Sequence, residues 1–150
     1  MIRRPPARTH GRRLAGVLVL VLAAALAFWG CTPLPVRTVT IGDQPWTVYV
    51  GSANGMRGLD GFGDVDGMLF DLGREVDPGG VPFGMEDVGF PIDIAWFDGD
   101  GTLVSTAEMA PCEEPPCPLY HAAGPYRWAV EGPVGAFTEL GPGNRLVVGD

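Results

Sequence analysis

The chain has 150 residues, 46% of them hydrophobic, which is enough for one domain with a buried core and excludes a disordered polar chain. Its 23 glycines and 15 prolines predict many short turns between the core-forming segments. All 18 acids and only five of the ten basic residues follow residue 30, so this part has a formal charge of −13 and should not bind nucleic acid.

The first 31 residues have the pattern of a membrane-targeting segment, whose apolar part we expect to be helical. Five arginines precede an uncharged run over residues 14–30, and basic residues favour the cytoplasmic side, so the following chain should be exported. Cys31 follows Gly30 as in the lipobox of bacterial lipoproteins, which leaves three outcomes: lipidation of Cys31, simple cleavage, or an uncleaved anchor. Each outcome leaves the domain outside the cytoplasm. We therefore expect it in the cell envelope, on the extracytoplasmic face of the cytoplasmic membrane, with the membrane as partner of the N-terminal segment.

Apolar runs separated by turn residues predict a strand-rich domain. We expect a linker with a possible first strand over residues 32–45, and a β domain over residues 46–150. The predicted strands are 36–41, 46–50, 68–72, 92–97, 102–109, 126–131 and 145–148, with a short helix expected at 52–59 and a short turn or helix at 134–140. This order predicts a mainly β fold, an antiparallel sandwich or barrel-like domain with one or two short helices.

The clearest local signal is a hairpin over residues 92–109. Ile92, Ile94 and Trp96 alternate with Asp93 and other residues, which is the period of a strand with one face in a core. The sequence DGDG at 98–101 then predicts a tight turn, because glycine accepts the positive φ that such turns require. We expect residues 102–109 to return antiparallel beside residues 92–97.

Four separate motifs carry a resemblance to a known family. They are GMLF at 67–70; Phe83, Met85, Pro91, Asp93 and Ile94; the cysteine loop Pro111, Cys112, Pro116, Cys117, Pro118 and Tyr120; and GPGNRL at 141–146. Together they resemble the domain of unknown function 192 family over roughly residues 46–150, which implies an uncharacterised small extracytoplasmic β domain. The chain departs from the family pattern at Gly84, where tryptophan is common, and at Asp87, where asparagine is common.

Cys112 and Cys117 form a local pair. In the oxidising environment outside the cytoplasm such a pair normally forms a disulfide, and closing this six-residue ring would stabilise the domain by roughly 2 kcal/mol. The alternative is a zinc site in which Cys112, Cys117 and His121 supply three ligands and a carboxylate the fourth. Neither the cysteine spacing nor the export signal favours zinc, so we expect no metal and no cofactor.

The remaining polar residues offer few catalytic groups. The acid-rich segments DGFGDVDG at 60–67 and DGDG at 98–101 lack the spacing of a calcium loop and are more simply explained as turns. No nucleophilic triad can be assembled from the serines and His121. A carboxylate pair made of Asp93 with Asp87 or Glu108 could serve a hydrolase, if burial raised the pKa of one member.

These patterns favour a membrane-tethered, extracytoplasmic binding or accessory module without a catalytic centre of its own. The predicted ligand site is a cleft near Phe83, Met85, Asp87 and Asp93, since aromatic and carboxylate groups suit a sugar, a cationic small molecule or another component of the cell envelope. The alternatives are the carboxylate-dependent hydrolase and a purely structural envelope protein.

Overall fold

A computed structural model describes residues 33–149, of which those from Leu34 onward belong to one compact unit. The predicted targeting segment and Cys31 lie outside the described residues. The strands are β1 Val36–Ile41, β2 Gln44–Val50, β3 Gly67–Val76, β4 Phe83–Gly84, β5 Ile92–Phe97, β6 Leu103–Met109, β7 Leu119–Tyr120, β8 Tyr126–Pro133 and β9 Leu146–Val148. A search of this part of the chain finds no helix that is long and apolar enough to cross a membrane.

Seven strands form one sheet in the order β6-β5-β8-β3-β2-β1-β9, and β4 pairs with β7 in a second, two-stranded sheet. The mainly β prediction and the pairing of β5 with β6 are confirmed. The prediction of an antiparallel fold is wrong at one pairing, so the large sheet is mixed: β2 runs parallel to β3, whereas every other pair of neighbouring strands in this sheet is antiparallel. Parallel neighbours cannot be joined by a hairpin, and here residues 51–66 form the long connection.

The large sheet curls until its two edges meet. Thr102, just before β6, forms a single bridge with Arg145, just before β9, and Gly101 accepts a hydrogen bond from the amide of Leu146 at 2.8 Å. Among the described residues no continuous ladder joins β6 to β9, so the sheet is strongly curled but is not a closed barrel. Side chains from both ends of the sheet meet inside the curl. This inner core consists of Val39, Ile41, Val48, Leu69, Ala95, Phe97, Val130, Phe137 and Leu146.

A second apolar layer covers the other face of β3, β5 and β8. This outer core contains alternate residues of β5, such as Ile94 and Trp96, together with Met68 and Phe70 of β3. It is covered by the connection 51–66 and by residues 83–88, which add the side chains Met56, Phe62, Phe83, Met85 and Val88. Because β5 lies between two cores, all six of its side chains are buried.

The short helix predicted at 52–59 is wrong, because this first segment forms successive turns. At 134–140 the turn, one of the two predicted alternatives, is confirmed, and residues 33–149 contain no helix. In the first segment, the amides of Gly55 and Arg57 donate to carbonyls three residues earlier, those of Ser52 and Asn54, at 2.9 and 3.1 Å. Gly55 and Gly58 have φ values of 53° and 71°, which are in the left-handed region and interrupt a right-handed helix.

Replacement of Gly101 by alanine tests the contact between the two edges. Gly101 has a φ of 80°, and an added Cβ would collide with the carbonyl of Leu146. We expect Gly101→Ala to lower the free energy of unfolding by about 2–4 kcal/mol, from backbone strain and overpacking together. Urea denaturation measures the change. Gly89→Ala is the matched control, because Gly89 has open space around it and needs no positive φ; equal losses in the two variants would contradict the role of this contact.

Candidate functional site

A pocket of about 380 Å³ opens on the outer-core side of the sheet. Three stretches of chain form its walls: residues 51–57 of the connection, residues 70–72 of β3, and residues 81–84 around β4. Val88 and Glu131 complete the lining. This volume is within the range of small-molecule sites, which are usually concave and mostly apolar with a few polar groups.

Local contacts hold the connection in place as one wall of the pocket. The amide of Gly51 donates to the carbonyl of Leu69 at 2.7 Å, and a Cβ on Gly51 would stand only 2.6 Å from the ring of Phe70, so glycine permits this close approach. Farther along, Arg57 pairs with Glu86 at 2.7 Å. These contacts tie the wall to β3 at one end and to the residues after β4 at the other.

Glu131 is the buried polar group of this pocket. It lies on β8, directly opposite Met68 of β3 and Ile94 of β5, so its side chain shares the outer-core face with them. Glu131 is 4% exposed, and its Oε2 has no hydrogen-bond partner among the described residues. Burial raises the pKa of the Glu131 carboxyl to about 7, because the charged form loses its hydration. The pocket thus contains a carboxyl group whose protonated and ionised forms both occur near neutral pH.

The other charged residues that line the pocket are already paired. Arg57 forms its ion pair with Glu86 at 2.7 Å, and Asp71 forms one with Arg127 at 3.2 Å. Within residues 33–149, Glu131 has no ion-pair partner. It is therefore the charged group that the pocket leaves available to a ligand.

The four residues of the predicted cleft do not share one surface. Phe83 lines the pocket, and Met85 is fully buried beside it in the outer core. Asp87 is exposed in the turn after β4, with a φ of 60°. Asp93 lies on the opposite face of the sheet, where it is 4% exposed and its Oδ2 accepts a hydrogen bond from the amide of Gly135 at 2.8 Å. A binding role for these four residues stays a prediction.

The structure brings together one of the two predicted carboxylate pairs. Asp93 and Glu108 are directly opposite each other in the register of β5 and β6, and Glu108 is exposed. Asp87 belongs to the segment that covers the other face of the sheet. Asp93 supports the turn after β8 through the hydrogen bond from Gly135, while its Oδ1 is buried without a partner among the described residues. The hydrolase stays an untested prediction.

Cys112 and Cys117 form the predicted disulfide. Residues after this loop form β7, which pairs with β4, so that Tyr120 lies opposite Phe83 and Leu119 opposite the pocket residue Gly84. The disulfide uses both sulfur atoms that the zinc alternative required. Across residues 33–149, no cluster of three or more histidine, cysteine or acidic side chains is placed to hold a metal ion.

The acid-rich turns have structural partners. Asp98 accepts hydrogen bonds from the amides of Asp100 and Thr102 at 3.0 and 2.8 Å, and Asp66 accepts one from Thr47 at 2.7 Å. The bonds to Asp98 are those by which aspartate stabilises a turn, whereas the bond to Asp66 joins the end of the connection to β2.

Comparison with known families identifies the domain. Residues 41–148 match the profile of DUF192, which is described as an uncharacterized ACR. The chain belongs to the DUF192 family. No curated protein matches it. The resemblance found in the sequence motifs is thereby confirmed.

Two solved structures share the DUF192 fold seen here. One, from Sinorhizobium meliloti 1021 and provisionally described as a transcription regulator, is 21% identical, with a TM-score of 0.66 over 79% of this chain and 98% of its own. The other, a protein of unknown function from Novosphingobium aromaticivorans DSM 12444, is 22% identical, with a TM-score of 0.64 over 78% of this chain and 90% of its own. At these identities the likeness shows the fold alone.

Glu131 was not predicted as a site residue from the sequence. It stands in the segment WAVEGP at 128–133. Ala129 and Glu131 are two positions apart there, which places them on the same face of a strand. The signal that could have identified it is the position of this segment between β5 and β3, because the outer core buries the side chain there. The sequence pattern does not give the order of strands.

The buried carboxyl predicts a pH dependence of stability. The folded-state pKa of Glu131 is about 7 against an ordinary value of 4.5, so its contribution is fully present below pH 4.5 and is lost as the pH rises through 7. Between these limits the contribution falls by about 3 kcal/mol. We expect Glu131→Gln to gain about this much stability relative to the unsubstituted protein between pH 4.5 and pH 8, as measured by urea denaturation. Glu139→Gln, at an exposed position, is the control; parallel pH profiles for all three proteins would contradict the assignment.

A second prediction concerns the disulfide. Replacing both cysteines by serine removes the closed ring, so we expect a loss of up to about 2 kcal/mol in the free energy of unfolding. Because the loop leads into β7, backbone amides of β4 and β7 should also exchange hydrogen faster, while those of β5 should not. Hydrogen exchange followed by mass spectrometry measures this. Unchanged exchange at β4 would show that the disulfide does not support the pocket wall.

Proposed function

We propose that this DUF192 domain is an exported, membrane-tethered binding module that holds a small ligand in the pocket between residues 51–57 and 81–84. The observation that carries the proposal is Glu131, a buried carboxyl without a hydrogen-bond partner for Oε2 that lines an open pocket. A buried polar group without a partner costs free energy, and a ligand that supplies the partner would recover it.

The composition of the walls supports ligand binding. Phe70 and Phe83 meet edge to face with ring centroids 5.3 Å apart, and Val81 and Val88 add aliphatic surface. Such walls favour the apolar part of a ligand, while a single polar group fixes its orientation. The pocket therefore has the two elements of a specific small-molecule site.

The N-terminal segment and the disulfide support the location. A basic flank followed by an apolar run is typical of export, and disulfides persist in oxidising compartments outside the cytoplasm. A domain tethered in this way would meet ligands of the cell envelope. A binding or accessory role is favoured over catalysis, because the buried carboxyl of the pocket has no second titratable group hydrogen-bonded to it among the described residues.

Calorimetric titration of the full-length protein in a polyoxyethylene detergent tests the proposal. The probes are N-acetylglucosamine, glucose, choline and n-butylammonium at pH 7. We expect a saturable response to at least one of them, and a loss of roughly 30-fold or more in its affinity in Glu131→Gln, because a partner of a buried polar group is removed. Glu139→Gln should retain the affinity.

Two results would count against the binding module. The absence of a saturable response to all four probes would favour the purely structural envelope protein. Equal affinities in Glu131→Gln and the unsubstituted protein would move the ligand site away from this pocket.

A further inference from the structure

We infer that the ligand of this pocket is a small organic cation, whose ammonium group lies against Glu131 and whose apolar part contacts Phe70 and Phe83. This inference rests on the proposed function and names its ligand class. It separates cations from neutral sugars, which the same walls could also accommodate.

The charges around the pocket favour a cation over an anion. Glu131 faces Met68 of β3 and Ile94 of β5, and neither of them carries a charge. The two other charged residues that line the pocket, Arg57 and Asp71, are engaged by Glu86 and Arg127. A bound anion would thus lie beside a carboxyl without a cationic partner, whereas a cation would meet an available carboxylate.

The walls and the volume of the pocket favour an organic cation over an inorganic ion. Phe70 and Phe83 both line the pocket, and their rings supply apolar surface for the carbon substituents of an organic cation. The volume of about 380 Å³ is larger than an inorganic ion requires and suits an ion with carbon substituents. The formal charge of −13 after residue 30 also raises the local concentration of cations at the protein surface.

The protonation of Glu131 makes the binding of cations and of neutral ligands depend differently on pH. Its pKa is about 7, so a cation that binds the ionised carboxylate must release a proton from the fraction of molecules that are still protonated. A neutral ligand that accepts a hydrogen bond from the protonated carboxyl would do the reverse. Arg57, Asp71, Glu86 and Arg127 are the other charged groups at this site, and their pairs would be common to both cases.

The test compares each cation with a neutral molecule of the same shape. Choline is titrated against 3,3-dimethylbutan-1-ol, and n-butylammonium against butan-1-ol, using the full-length protein in the same detergent. We expect at least one cation to bind roughly tenfold or more tightly than its neutral counterpart. Its affinity should rise about tenfold between pH 6 and pH 8, in proportion to the ionised fraction of a group with a pKa of about 7.

Calorimetry in two buffers that differ in ionisation enthalpy adds a direct count of protons. Near pH 7 the cation should release a fraction of a proton per molecule bound. In Glu131→Gln both the proton release and the rise with pH should disappear. The comparison of each cation with its neutral counterpart uses the unsubstituted protein, so the test stands even if that variant folds poorly.

The outcomes separate this inference from the proposed function. Saturable binding of N-acetylglucosamine or glucose, with neutral molecules preferred and no proton release, would overturn the cation inference and leave the binding module intact. No saturable binding by any probe would overturn both. Cation binding with the same affinity at pH 6 and pH 8 would also overturn the inference, because Glu131 would then not be the counterion.

Discussion

One interior strand of the curled sheet, β8, imposes the main constraint on this structure. β8 lies between β5 and β3, and apolar layers cover both faces of the sheet at this point. Val130 therefore enters the inner core, while Ala129 and Glu131 face the outer core. At Glu131 neither face of the strand is open to bulk water, so the raised pKa of this carboxyl follows from burial at its place in the strand order rather than from a charged neighbour.

The pocket follows from the same topology. Because β2 and β3 are parallel, the chain needs a long connection, and residues 51–66 cross the outer-core face to make it. This connection is built from turns, with Gly55 and Gly58 in left-handed conformations, and does not form a continuous layer over β3. β4 is only two residues long and covers the adjacent part of the face. The space between the two segments is the pocket, with Glu131 in its lining.

Local patterns predicted most strands but not their arrangement. Residues 92–97 and 36–41 are strands with the predicted bounds, because alternation and adjacent turns are local properties of the sequence. The parallel pairing of β2 with β3 depends on contacts between distant segments, so the sequence pattern did not contain it. The same limit explains why the four residues of the predicted cleft do not share one surface. Asp93 and Phe83 are ten positions apart and belong to opposite faces of the sheet, which periodicity alone could not show.

Asp87 and Gly84, two positions at which the chain departs from the DUF192 pattern, differ in their physical explanation. Asp87 stands where asparagine is common, and its φ of 60° is a conformation that asparagine and aspartate both tolerate, so this exchange follows from backbone geometry. Gly84 stands where tryptophan is common, and it lines the pocket. Gly84 is exposed, and a Cβ at this position would lie 3.4 Å from Leu119. Gly84 thus contributes only backbone to this edge of the pocket, opposite Leu119 of β7.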